Sequence, residues 1–85
     1  MRLPVIKHLV EFIEERDQNF VEKTIETLES LGEVRGMKDE ELDVIGELLS
    51  NMYGALEVNK DIQSGAEKKE ALNGFMKRVL SSIDN

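Results

Sequence analysis

One segment, residues 39–63, constrains the fold of this chain more than any other. Advanced at 100° per residue, its apolar side chains cover an arc of about 220°, whereas a surface helix usually shows a stripe of roughly half that width. These side chains are Leu42, Val44, Ile45, Leu48, Leu49, Met52, Tyr53, Ala55, Leu56, Val58 and Ile62. Such a helix must be covered on more than one side, either by other helices of the chain or by a partner chain.

Three further amphipathic segments flank it, over residues 4–16, about 20–31 and about 64–83, and none shows the alternation of a strand. Because the connections between them are short, sequential helices should be antiparallel neighbours. We therefore expect an all-α protein, a compact antiparallel four-helix bundle forming a single domain over residues 1–85, with dimerisation as a way to complete it. A pair of helical hairpins completed by a second chain is the variant.

Local signals mark where these helices begin and end. Pro4 suits a first helical turn, the polar break Asp17-Gln18-Asn19 is rich in capping residues, and Gly32 is a natural stop. Ser64-Gly65-Ala66-Glu67 fits a capping box that would open the fourth helix. Asn59 is the place where the third helix would end early, if it ends before Gln63.

Composition narrows the class of protein. The chain of 85 residues has no Cys and a formal charge of −7, which argues against disulfides, thiolate sites and nucleic-acid binding. Neither a signal peptide nor a membrane-spanning run is visible, so we expect a cytoplasmic protein with no membrane partner. Charge is uneven, at −5 over residues 37–64 and +1 over residues 65–85, which suggests an acidic helix beside a mildly basic one.

The glycines of the helical segments need an explanation. Gly46, Ser50 and Gly54 lie on the side of the third helix that its apolar arc leaves free, and Gly74 lies opposite the apolar face of the fourth. Each Gly costs a helix about 1 kcal/mol relative to Ala. Two interpretations stay open: these positions face water and the cost is tolerated, or another backbone or molecule comes close there.

On the second interpretation the chain is a non-enzymatic helical interaction domain that forms a homodimer through the third helix, with the fourth as a further contact surface. The candidate interaction residues are Gly46, Ser50, Asn51, Tyr53, Gly54 and Gly74. Tyr53 and Asn51 are included because an aromatic with a polar tip and an amide commonly anchor interfaces. On the alternative interpretation, Tyr53 is a core residue, and Asn51 is a polar residue at the edge of the core whose hydrogen bonds are satisfied.

Residues for catalysis or for binding a metal or cofactor are not indicated. His8 is the single histidine, and with Glu11 and Glu15 it lacks the Glu-x-x-His pairs of di-metal bundles, so it reads as a surface residue. The acidic run at residues 39–43 suits the positive end of a helix dipole. Glu29-Ser30-Leu31 is the nearest string to an acyl-carrier attachment site, but it falls at a helix end.

A rival function is a binder of a small apolar ligand or an acyl group. Such a protein would hold its ligand in a cavity between helices, with Met37, Met52 and Met76 as adaptable lining. Methionines at helical spacing are also ordinary core residues.

Three stretches carry a resemblance that reaches the whole chain: Leu3-Pro4-Val5-Ile6-Lys7, Asp39 to Leu48 continuing through Asn51 to Ala55, and Lys69 to Met76. They resemble a small bacterial protein family of unknown function, all-helical, acidic and cytoplasmic. The resemblance implies a stand-alone helical protein without an active site. It also implies an association with thioredoxin-like or peroxiredoxin-like partners, whose redox chemistry a chain without Cys could only assist.

Overall fold

Four helices make up the structure, a computed structural model that describes residues 2–83 and their side chains as far as Leu80. They are α1 (Leu3–Glu15), α2 (Gln18–Leu31), α3 (Asp39–Gln63) and α4 (Lys68–Ile83). The described residues form no strand. The predicted all-α bundle is confirmed, and α3 runs through Asn59 to Gln63 without interruption.

The helix boundaries follow the local signals at most positions. Pro4 stands in the first turn of α1, and Asp17 caps α2 by accepting a hydrogen bond of 3.0 Å from the backbone N–H of Asn19. Lys38 precedes α3, and its backbone N–H donates to Oε1 of Glu41 at 3.0 Å. These ends are therefore determined by groups within a few residues of them.

The prediction that Ser64 opens α4 is wrong. Ser64 is the last, C-capping residue of α3, and α4 begins only at Lys68. Gly65 has a φ of 111°, and its N–H and that of Ala66 donate to the carbonyls of Ile62 and Asp61 at 3.0 and 3.1 Å. This is the Schellman arrangement, which needs a residue of positive φ directly after the cap. The positive φ of Gly65 therefore makes Ser64 the C-cap of α3 rather than the N-cap of α4.

The bundle is flat, with α3 at its centre. α3 packs against α1, α2 and α4, whereas α2 and α4 do not touch each other within the described part of the chain. The extents are 43 × 35 × 18 Å, so the thinnest dimension is less than two helix diameters of about 10 Å. The buried apolar side chains are Ile6, Val10, Ile13, Val21, Ile25, Ala55, Val58, Ala71, Leu72 and Phe75.

This flatness leaves much of the surface in water. The chain exposes 6167 Å², whereas a compact protein of 9.7 kDa exposes about 5,100 Å². Its radius of gyration is 13.9 Å, against about 12 Å for a compact domain of this length. The chain thus has roughly 1,000 Å² more surface than its mass requires.

Two buried asparagines of α3 mark where α1 and α2 begin. Asn51 is 2% exposed; its Oδ1 accepts from the backbone N–H of Arg2 at 2.8 Å, and its Nδ2 donates to the carbonyl of Glu47 at 2.8 Å. Nδ2 of Asn59 donates to Oε1 of Gln18 at 2.9 Å. A buried amide left without a partner costs about 1–3 kcal/mol, so each asparagine disfavours a shifted position of the helix that it holds.

The contacts of α1 show which part of α3 it covers. Arg2 lies against Asn51, and the side chain of Ile6 lies against Gly54. Contacts along α1 therefore advance with those along α3, starting from the middle of the longer helix. The turns of α3 that precede Asn51 lie beyond the beginning of α1.

Gly54 has a packing role that Gly46 lacks. A Cβ at Gly54 would lie 3.1 Å from Cδ1 of Ile6 and 3.1 Å from Cζ of Phe75, whereas one at Gly46 would meet nothing within 4 Å. At Gly54 the groups that come close are therefore buried side chains of α1 and α4, and not the backbone or second molecule that the sequence suggested. At Gly46 the space within the chain is open.

We predict opposite effects of alanine at these two glycines. Gly46→Ala should raise stability by up to about 1 kcal/mol through helix propensity. Gly54→Ala gains the same propensity but overpacks the core, at a cost of about 1–3 kcal/mol, so its melting temperature should fall. Thermal unfolding followed by circular dichroism checks both. Equal stabilisation by the two substitutions would contradict the packing role of Gly54.

A side-chain hydrogen bond ties α2 to α3 nearer the other end of α2. The hydroxyl of Tyr53 donates to Oε2 of Glu29 at 2.7 Å. This bond to the carboxylate holds the phenol proton and raises the pKa of Tyr53 above its usual 10.0, with smaller contributions from desolvation and from the negative charge of Glu29. Both side chains are exposed, so the contact fixes orientation more than it adds stability.

Tyr53 offers a direct measurement of this contact, because the chain has one Tyr and no Trp. We predict that the phenolate absorbance of the folded protein titrates above pH 10.0, and that Glu29→Gln lowers the midpoint. Since the folded-state pKa is raised, the stabilisation is present below the unfolded pKa and is lost as the pH rises through the folded one. Identical midpoints in the wild type and Glu29→Gln would refute the contact; the urea-unfolded chain supplies the reference.

Candidate interaction surface

The structure separates the six candidate interaction residues. Asn51 and Gly54 are buried, and their contacts are with α1, α4 and the preceding turn of α3. Ser50 and Gly74 are half-buried, while Gly46 and Tyr53 are exposed. The helical wheel placed Gly54 on the polar side of α3, but Ile6 and Phe75 approach it from that side. The six therefore do not form one continuous surface of the subunit.

An apolar strip on α3 is exposed instead, formed by Val44 and Leu48. Val44 is 59% exposed and Leu48 is 41% exposed. The two residues are one turn apart, and the same face of the helix continues to Ala55 and Val58, both completely buried. One face of α3 is thus covered in its later turns and open to solvent in its earlier ones.

The relative lengths of the helices account for the strip. α1 has 13 residues and α3 has 25, which corresponds to about 20 and 37 Å. Because α1 begins opposite Asn51, it cannot reach Val44 or Leu48. Sequence reasoning included both residues in the wide apolar arc but missed that they stay exposed; the difference in helix length was the signal that could have identified them.

The surroundings of the apolar strip are strongly acidic. The segment 39–48 carries five carboxylates, at Asp39, Glu40, Glu41, Asp43 and Glu47, and no Lys or Arg. All five side chains are exposed. Asp39, Glu40 and Asp43 form no ion pair with any residue that the structure describes. The expected acidic helix beside a basic one is realised only further along, where Arg78 pairs with Asp61 at 3.2 Å.

Residues suited to a metal site are dispersed. Over residues 2–83, no three His, Cys, Asp or Glu side chains are placed to hold one ion, and His8 is exposed on α1. Of the methionines considered as ligand lining, Met52 and Met76 pack against the buried core. Among the helices that the structure describes, none is both long and apolar enough to cross a membrane.

The comparisons with known proteins agree with the resemblance seen in the sequence. The sequence model of a family of unknown function, DUF6952, matches residues 1–84. Neither the comparison with curated proteins nor that with solved structures found a match. Since the family match extends over almost the entire chain, this four-helix protein belongs to the DUF6952 family of unknown function.

Proposed function

We propose that this protein is a non-enzymatic helical interaction domain that self-associates through α3. The observation that carries the proposal is the apolar strip, because it continues the buried face of α3 beyond the reach of α1. A second chain lying on Val44 and Leu48 would bury the earlier turns of α3, as α1 buries the later ones. This places the contact at the strip rather than at the small residues, since Gly46 projects from the opposite side of the helix.

The surface area supports a partner of ordinary size. The excess over a compact protein of this mass, roughly 1,000 Å², is close to the 800 Å² or so that each partner buries in a standard interface. A second copy of the chain is the natural occupant, because most homo-oligomers close by a two-fold axis that uses the same surface twice. Burial of the strip would also add to a core that comprises ten buried side chains among the residues that the structure describes.

The rival function gains no support from the placement of the methionines. Met52 and Met76 contribute to the packing of the core, and none of the three lines a surface groove described for the chain. The thioredoxin-like or peroxiredoxin-like partner implied by the family resemblance stays a prediction. An interaction domain is compatible with such a partner, whereas the strip gives no feature that would select it.

The proposal predicts a concentration-dependent dimer that depends on the strip. In sedimentation equilibrium, the wild type should show a reversible dimer, and Val44→Gln with Leu48→Gln should weaken it at least about tenfold, equivalent to about 1.4 kcal/mol. Both side chains are exposed in the subunit. The free energy of unfolding, measured in dilute solution, should therefore differ between the variant and the wild type by no more than about 1 kcal/mol in total. Gln is chosen because it keeps helix propensity.

A matched control comes from two equally exposed leucines elsewhere. Leu31 is 44% and Leu80 57% exposed, so Leu31→Gln with Leu80→Gln removes a similar amount of exposed apolar surface outside the strip. This control should leave the dimer unchanged. A wild type that stays monomeric over the whole concentration range, or equal weakening by the two double variants, would refute self-association through the strip.

A further inference from the structure

A basic groove lies between the beginnings of α1 and α4. It has a volume of about 450 Å³ and is lined by Leu3, Lys7, Lys68, Lys69, Leu72 and Asn73. Lys68 is held by Glu14, with Nζ 2.7 Å from Oε1. Lys7 and Lys69 are exposed and form no ion pair with any of residues 2–83. The groove therefore combines the exposed Leu3 and the edge of the buried Leu72 with two lysines that form no ion pair.

The apolar strip has the opposite character. Its apolar side chains, Val44 and Leu48, are flanked by carboxylates, of which Glu40 lies one turn before Val44. If two strips paired directly, Glu40 and Asp43 would face the same acidic segment of the other copy. The opposing carboxylates would be closer than the Debye length, so salt would not screen their repulsion. The groove offers apolar contact without that repulsion, because its uncompensated charges are positive.

One end of the groove lies close to the strip. Arg2, which donates to Asn51, is followed directly by Leu3 of the groove. The groove thus begins at Leu3, where the cover of α3 ends, and extends away from the strip towards Lys68, which contacts Glu14 in the last turn of α1. A two-fold axis could then place each strip in the groove of the other copy, since in such an interface residue i contacts j and j contacts i.

Resting on the proposed function, we infer that the partner surface of the apolar strip is this basic groove on a second copy of the chain. Val44 and Leu48 of one copy lie on Leu3 and Leu72 of the other, with the lysines at positions 7 and 69 facing the acidic flank. The contact is made twice, so that the dimer holds both strips and both grooves.

Charge reversal in separate chains tests this pairing. Lys7→Glu with Lys69→Glu makes groove and strip both acidic, whereas Glu40→Lys with Asp43→Lys places two lysines on the flank of the strip, where they face the lysines of the groove. Each variant alone should dimerise at least about tenfold more weakly than the wild type. An equimolar mixture should restore the dimer, because each chain then meets a surface of opposite charge. Sedimentation equilibrium measures the association, and circular dichroism verifies that each variant is helical.

Two further measurements separate this pairing from its competitors. Raising the ionic strength from about 0.05 to about 0.5 M should weaken the wild-type dimer, whereas direct pairing of two acidic strips would be strengthened. Lys23→Glu with Lys60→Glu makes the same change of net charge at exposed residues outside the groove. This control should dimerise like the wild type.

The outcomes distinguish the two proposals. Reciprocal loss with recovery in the mixture supports the groove as the partner surface. If the wild type dimerises and the strip variant abolishes it, but the charge variants have no effect or their mixture fails to recover, the groove is refuted and self-association through α3 stands. A wild type that is monomeric at every concentration refutes both.

Discussion

The hydrogen bond from the backbone N–H of Arg2 to Oδ1 of Asn51 determines how the rest of the molecule is arranged. Asn51 is buried and also donates to the carbonyl of Glu47, so both ends of its amide are satisfied only when α1 begins at this point of α3. A shift of α1 by one turn would leave a buried polar group unpaired, at a cost of about 1–3 kcal/mol. Where α1 begins then decides which turns of α3 are covered and which face water.

The position of α1 along α3 determines how the centre of the bundle packs. Ile6 and Phe75 both reach Gly54, so two helices approach α3 at one residue without a side chain, and Ala55 and Val58 are sealed next to it. A helix of 13 residues placed in this way cannot also cover the earlier turns of one of 25. The same contacts that close the core therefore leave the apolar strip open, as the exposed fractions of Val44 and Leu48 show.

The sequence predicted the elements better than it predicted their contacts. Hydrophobic periodicity and caps identified four helices, because those signals act over a few residues. A helical wheel treats a helix as uniform along its length, so it assigned Gly54 to the polar side and could not distinguish Val44 from Ala55, which share a face. Ser64 was assigned to the wrong helix because two motifs overlap there, and the positive φ of Gly65 decides between them. Of the two interpretations of Asn51, interface anchor or satisfied polar residue, the second agrees better with the structure, because its hydrogen-bond partners lie within the chain.

The acidic flank of the strip needs an explanation beyond helix stability. Carboxylates at Asp39, Glu40 and Glu41 complement the positive end of the helix dipole, but that effect fades within the first turn, and Asp43 lies beyond it. Beside an exposed apolar strip, these negative charges disfavour association of the strip with acidic surfaces and with a second strip, because like charges repel. An apolar surface bearing Lys escapes this penalty. The charges of α3 therefore restrict which apolar surface can cover Val44 and Leu48, and the groove at Lys7 and Lys69 satisfies that restriction.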